Sequence, residues 1–136
     1  MTKELMRDLI FLARKLETAT NGDLQVPQDL LDMLIANKDG CVDMAANMIG
    51  VRMQIIVFDN ESTYRTMFNP EIIKKSGPYD TEASVFFLGS PRKCKRHQTI
   101  KIQWQTAEFP TRIKILIGWI AQIIQHEIDH CNGVLI

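Results

Sequence analysis

A short segment near the carboxyl end of the chain, His126-Glu127-Ile128-Asp129-His130, is an HExxH motif. Residues four apart share one face of an α-helix, so both imidazoles can reach one metal ion and the glutamate can reach a water bound to it. The surrounding stretch, Thr111 to Asn132, has no internal proline and is followed by Gly133, a residue type that commonly ends helices. We predict one central helix over Thr111 to Asn132, with its apolar part, Ile115 to Ile124, buried.

Two histidines alone are not a complete metal site. The competing interpretation is a chance spacing on a polar helical face, but two of the three histidines of the chain fall within the motif, in a helical context. Metal binding is therefore the favoured interpretation, and a third protein ligand has to come from elsewhere in the chain.

The remaining sequence predicts an α+β fold, with helices flanking mixed or antiparallel strands. Leu5 to Leu16 has apolar residues at helical spacing, and a second helix, Gln28 to Asn37, follows Pro27. Short apolar runs bounded by turn residues predict the strands. These runs are Met53 to Phe58, Thr63 to Phe68, Ile72 to Lys75, Ser84 to Leu88 and Thr99 to Gln105.

Length and composition favour one compact domain over residues 1–136, in which 46% of residues are hydrophobic. Sixteen basic and sixteen acidic side chains balance, which argues against DNA binding through bulk charge. Three cysteines without CxxC spacing indicate a reducing cytoplasm. The charged amino terminus does not resemble a secretory signal, and the most apolar stretch is too short to span a membrane.

Four segments together resemble the peptide deformylase family, and the resemblance runs from about Leu30 to the carboxyl terminus. Gln125 to Leu135 is similar to the family motif QHExDHLxGxL, and Val42 to Val51 to the motif GxGLAAxQxGV. Phe68 to Ile72 resembles the NPxI strand. Glu82 to Phe86, followed by Gly89 and Arg96, occupies the place of the EGCLS motif.

This resemblance implies a deformylase-like fold, with strands around a central carboxyl-terminal helix that carries the HExDH sequence. It implies removal of the formyl group from N-formylmethionyl peptides, with the formylated nascent peptide, and by extension the ribosome, as partners. The implied cofactor is one divalent metal ion, Fe(II), which zinc, nickel or cobalt can replace.

The resemblance also implies residue roles. His126 and His130 would be metal ligands and Glu127 the general acid/base, while Ser84 stands at the position of the family's cysteine ligand. Met48 stands at the position of the glutamine that helps to hold the oxyanion, and the backbone N–H of Val85 would also contribute there. The substrate-binding positions would be Val42, Asp43, Met44, Ala45 and Phe86.

Several of these positions depart from the family pattern. A serine hydroxyl is a weaker ligand than a thiolate, and methionine cannot donate a hydrogen bond. The weaker ligand predicts weak metal binding or none. Two hypotheses follow: a deformylase weakened by the changes at Ser84 and Met48, or a catalytically silent paralogue that acts as a peptide-binding or regulatory protein.

Other features have simpler interpretations. Arg92 to His97 is a basic cluster, interpreted as a solvated turn and edge strand rather than a phosphate or carboxylate site. Met44, Met48 and Met53 are interpreted as core gap-fillers. Cys41 and Cys131 are expected to be buried thiols, and replacement of the missing thiolate by either one is left open.

Overall fold

A computed structural model describes residues 5–20, 25–39, 41–60, 63–83, 91–106 and 110–134. The elements are α1 (Leu9–Leu12), α2 (Gln25–Ala36), β1 (Asp43–Ala45), a 3-10 helix (Ala46–Ile49), β2 (Ile55–Asn60), β3 (Thr63–Ala83), β4 (Arg92–Gln105), β5 (Thr111–Ile117) and α3 (Gly118–Cys131). Strands β1 to β5 form one antiparallel sheet in chain order, which confirms the predicted α+β class with antiparallel strands.

Strand β2 divides the core into two layers. Its side chains point alternately to opposite faces of the sheet, as strand geometry requires. Ile56 and Phe58 pack in the cluster that contains Ile124 of α3, whereas Val57 packs in the cluster that contains Leu30 of α2. The carboxyl-terminal helix therefore lies against one face of the sheet, where its motif can meet side chains from β1 and β4.

The predicted single helix over Thr111 to Asn132 is wrong for its first seven residues. These residues form β5, in which Ile113, Ile115 and Ile117 alternate along one face with 55%, 63% and 69% of their surface exposed. Isoleucine favours strands, and a short apolar run does not by itself separate a strand from a helix. Gly118 then adopts φ 65°, a left-handed conformation that suits glycine, and α3 begins there.

Strand β3 replaces two predicted strands, Thr63 to Phe68 and Ile72 to Lys75. The intervening Asn69-Pro70 does not end the strand, because the register with β4 shifts between Phe68 and Glu71. Proline has no N–H to donate, and a bulge accommodates it. The predicted strand Ser84 to Leu88 lies outside the described residues.

The amino-terminal helix is much shorter than predicted, and the second helix is displaced. The helix expected over Leu5 to Leu16 is the single turn α1, capped by the Asp8 carboxylate, which accepts from the N–H of Ile10 at 2.9 Å. The chain after α1 instead runs beside other elements: Leu16 N–H donates to the Cys131 carbonyl at 2.7 Å. Helix α2 spans Gln25–Ala36 rather than Gln28 to Asn37, so that Pro27 is its third residue.

Gly133 closes the helix against this amino-terminal segment. It adopts φ 78°, and a Cβ atom there would overlap the backbone carbonyl of Ala13. Both observations require glycine. Across the described ranges, no helix combines the length and apolar character needed to cross a bilayer.

Candidate metal centre

Side-chain hydrogen bonds fix α3 relative to the sheet. Gln125 accepts from the backbone N–H of His97 and donates to its carbonyl, both at 2.8 Å. Asn47 donates from Nδ2 to the His130 carbonyl at 3.1 Å. These contacts join the helix to β4 and to the 3-10 helix, and so set the position of the HExDH residues.

The helix brings His126, Glu127 and His130 together as the sequence spacing predicts. One potential ligand atom from each residue lies within 4.8 Å of the other two, and the imidazole centroids are 4.4 Å apart at an interplanar angle of 64°. Imidazole nitrogen and carboxylate oxygen are both ordinary ligands of divalent transition metals. This group is therefore the candidate metal centre.

The Glu127 carboxylate is buried, since only 1% of the residue is exposed. Neither of its oxygens accepts a hydrogen bond within the described part of the chain. Nδ1 of His130 lies 3.4 Å from Oε2 but makes no hydrogen bond to it. An unsatisfied buried carboxylate is unfavourable, so the site is built for a further polar or cationic partner.

The centre opens into a cavity of about 290 Å³. Val42, Asp43 and Met48, from the segment similar to GxGLAAxQxGV, share this cavity with the HExDH residues. The complete lining is Cys41, Val42, Asp43, Met48, Ala83, Arg96, Trp119, Gln122, Ile123, His126, Glu127 and His130. The geometry thus brings together two motifs that are about eighty residues apart in sequence.

Two residues expected at the substrate site, Met44 and Ala45, do not line this cavity. Both are 0% exposed. Met44 points to the α2 side of the sheet, and Ala45 packs in the cluster beneath α3. Ser84, Val85 and Phe86 lie outside the described residues, although the residue before them, Ala83, lies in the cavity wall.

Asp43 places a second carboxylate in the cavity. Its Oδ2 lies 3.4 Å from Nδ1 of His126, and the residue is 8% exposed. Burial, reinforced by the charge of Glu127, raises the pKa of Asp43 to about 6, and the interaction with His126 opposes that rise. The resemblance implied a substrate contact at this position, where the family motif GxGLAAxQxGV has its second glycine.

The buried cysteines are protonated thiols. Cys41 lines the cavity, and its thiol donates to the Asp43 carbonyl at 2.9 Å. Burial raises the pKa of Cys41 to about 12, and burial also raises the pKa of Cys131. Neither cysteine belongs to the group of ligand atoms that the described residues bring within 4.8 Å.

Sequence reasoning missed a buried ion pair beside the centre. Nη1 of Arg96 lies 2.8 Å from Oδ2 of Asp129, and Arg96 is 3% exposed. The solvated interpretation of the basic cluster fits Arg92, Lys93 and Lys95, which are exposed, but is wrong for Arg96. The alternation on β4 contained the signal, because Arg96 is in phase with the buried Ile100 and Ile102.

Comparison with known proteins agrees with this architecture. The polypeptide deformylase family model matches residues 10–136. A peptide deformylase of Clostridium beijerinckii is 44% identical over 136 residues, covering 100% of both chains. A peptide deformylase of Dictyoglomus thermophilum is 32% identical over 126 residues, covering 91% of this chain and 80% of its own.

Solved structures show the same fold. The class I type b peptide deformylase of Acinetobacter baumannii superposes with a TM-score of 0.87 at 21% identity, covering 99% of this chain and 97% of its own. The order of the motifs, the helix that carries the HExDH sequence and the full-length similarity lead to one conclusion: this chain belongs to the peptide deformylase family.

Proposed function

We propose that the protein hydrolyses the formamide of N-formylmethionyl peptides, with His126 and His130 holding a divalent metal ion and Glu127 acting as general acid/base. The observation that carries the proposal is the buried Glu127 carboxylate, which accepts no hydrogen bond from the described residues and lies beside two imidazoles in the cavity wall. Family membership and the 44% identical relative named peptide deformylase support the reaction class.

The residues present fit a metal ion. Two imidazoles provide neutral nitrogen ligands, and the orphaned carboxylate oxygens provide an acceptor for a water proton. When bound, the ion supplies Lewis acidity and lowers the pKa of its water toward neutrality. By family analogy the ion is Fe(II), and we expect zinc or nickel in protein isolated in air.

Glu127 performs the proton transfers. Its carboxylate takes a proton from the water that attacks the formyl carbon and returns a proton to the departing amine, so the products are formate and a free amino terminus. Its position on α3, one residue after His126, keeps it on the side of the helix that faces the cavity. General acid/base catalysis of this kind contributes roughly 10²–10⁴ in rate.

The apolar part of the cavity wall suits a methionyl side chain. Val42, Met48 and Ile123 line it, and methionine packs adaptably against a thioether. Met48 cannot donate to an oxyanion, and one missing donor typically lowers the rate by about 10²–10³. We therefore expect slow turnover, with the backbone N–H of Val85 as the remaining donor and Ser84 as a weak third ligand.

The nascent chain at the ribosome is the physiological source of such peptides, and we propose it as the setting. The silent-paralogue hypothesis is less well supported, since the general acid/base and both histidines remain together at the cavity. The departures from the family motifs at Asp43 and Phe86 remove neither histidine and leave the proton-transferring carboxylate in place.

The test measures formate release from a formylmethionyl tripeptide by metal-loaded protein. Glu127→Gln is the inactive comparison, because it keeps the side-chain shape but cannot accept the proton. Asp80→Asn, which changes an exposed carboxylate on β3, controls for altered net charge. The proposal requires release by the unmodified protein and by Asp80→Asn, and it fails if Glu127→Gln is equally active.

A further inference from the structure

The Asp43 side chain is held against the metal-binding helix by its backbone. Strand β1 pairs Asp43 with Phe58 of β2, and the Cys41 thiol donates to the Asp43 carbonyl. With the main chain fixed on both sides, Oδ2 lies 3.4 Å from Nδ1 of His126. This is a loose contact as it stands, and such contacts commonly shorten when a site is loaded.

With His126 and His130 neutral, as metal ligands are, the charges in the cavity do not balance within the described residues. Asp43 and Glu127 bring two buried carboxylates, while the charge of Arg96 is matched by Asp129 at 2.8 Å. Histidines that ligate a metal are neutral. Two carboxylates facing two neutral imidazoles therefore match the charge of one divalent cation.

The position of Asp43 indicates an indirect role toward such a cation. The atoms that lie within 4.8 Å of one another come from His126, Glu127 and His130, and Asp43 does not join them. Its contact is with the ring edge of His126, at Nδ1. Ligating histidines usually donate their other ring N–H to a carboxylate or carbonyl, which fixes the tautomer and raises the basicity of the ligand nitrogen.

We propose that Asp43 is a positioning residue that accepts a hydrogen bond from Nδ1–H of His126, so that Nε2 faces the metal. It also supplies negative charge beside the ion in a chain whose sequence has serine, not cysteine, at the position of the family's thiolate ligand. This inference rests on the proposed function, because it assumes that His126 is a metal ligand. It gives the carboxylate at a family glycine position a role in metal binding.

Metal affinity provides the test, measured by competition between the protein and a chromophoric chelator for Zn²⁺. Loss of an outer partner typically lowers metal affinity by about 10–100-fold. We expect Asp43→Asn, which keeps an acceptor oxygen, to lower the Zn²⁺ affinity by about 10-fold, and Asp43→Gly to lower it by about 100-fold. Asp29→Asn changes a buried carboxylate on α2 and should stay within about threefold of the unmodified protein.

A double-mutant comparison separates charge from position. If Asp43 offsets the missing thiolate charge, its removal should matter less in a protein that carries Ser84→Cys, so the two changes should not add. Equal effects of Asp43→Asn with serine and with cysteine at position 84 would overturn the charge argument. An unchanged affinity in Asp43→Asn and Asp43→Gly would overturn the whole inference.

A measurement on the unmodified protein does not depend on the variants folding. The ¹⁵N spectrum of the Zn²⁺-loaded protein should show His126 protonated at Nδ1 and metallated at Nε2; the reverse assignment would refute the positioning role. Failure of the proposed function would look different. If Asp43→Asn changes the Zn²⁺ affinity but neither the unmodified protein nor any variant releases formate, the proposed reaction is wrong and the positioning role stands.

Discussion

Replacing Asp129 by asparagine tests the buried ion pair that holds β4 against α3. Nη1 of Arg96 lies 2.8 Å from Asp129 Oδ2 and also donates to the Lys95 carbonyl at 3.3 Å. Arg96 is 3% exposed, whereas the Asp129 side chain is 29% exposed. Asp129→Asn therefore leaves a buried guanidinium without its countercharge, while Arg96→Met leaves a carboxylate that water can still reach.

The expected losses differ between the two variants. Breaking a buried pair commonly costs about 3–5 kcal/mol, and we reduce this to about 2–3 kcal/mol for Asp129→Asn, because asparagine keeps an acceptor and the site is partly hydrated. Arg96→Met should lose about 1 kcal/mol or less, since methionine occupies the space of the arginine stem. For 136 residues the entropy of unfolding is about 0.29 kcal/mol/K, so Asp129→Asn should lower Tm by about 7–10 °C.

The assay is thermal and urea unfolding of metal-free protein in the presence of a chelator, so that metal binding does not contribute. The double variant Arg96→Met/Asp129→Asn should be about as stable as Arg96→Met alone, because the carboxylate has no partner left to lose. If Arg96→Met is the more destabilising single change, the argument from unequal burial is wrong.

Three further predictions follow from the described residues. Glu127→Gln should lower formate release by about 10²–10⁴ while leaving Zn²⁺ affinity within about tenfold, as separate turnover and chelator-competition assays would show. Cys94 is partly exposed and should be alkylated first at pH 8, whereas Cys41 and Cys131, whose pKa values are raised by burial, should react only after unfolding; peptide mass spectrometry distinguishes these sites. Gly133→Ala places a Cβ atom at a positive φ and against the backbone of Ala13, so it should lower the free energy of unfolding in urea by more than about 2 kcal/mol. A loss below about 0.5 kcal/mol would contradict the overlap.

The fold was predictable where periodicity and length agreed. Thr99 to Gln105 alternates and lies within β4, and the HExDH residues lie on a helix as their spacing requires. Periodicity and length do not decide between a strand and a helix for the apolar run that includes Ile115, because a strand and a buried helix can have the same composition. The break at Gly118 depends on a backbone conformation that glycine permits but does not demand.

Local patterns predicted the candidate site only where its residues are close in sequence, whereas the family resemblance assigned Val42, Asp43 and Met48 to the same site. His126, Glu127 and His130 follow from helical geometry, whereas the approach of Asp43 to His126 joins residues that are 83 positions apart. That contact depends on how β1 packs beneath α3, which local patterns do not encode. Arg96 was missed for a related reason. Its burial at an inward position of β4 can be predicted only if Asp129 is known to lie opposite it.

The most direct test of a metal-dependent deformylase is an anaerobic titration of metal-free protein with Fe(II), following formate release from a formylmethionyl tripeptide at each addition. We predict that release rises with bound metal and levels off at one ion per chain, and that His126→Ala abolishes both binding and release. Release that is independent of added metal, or no release at one bound ion per chain, would contradict a metal-dependent mechanism.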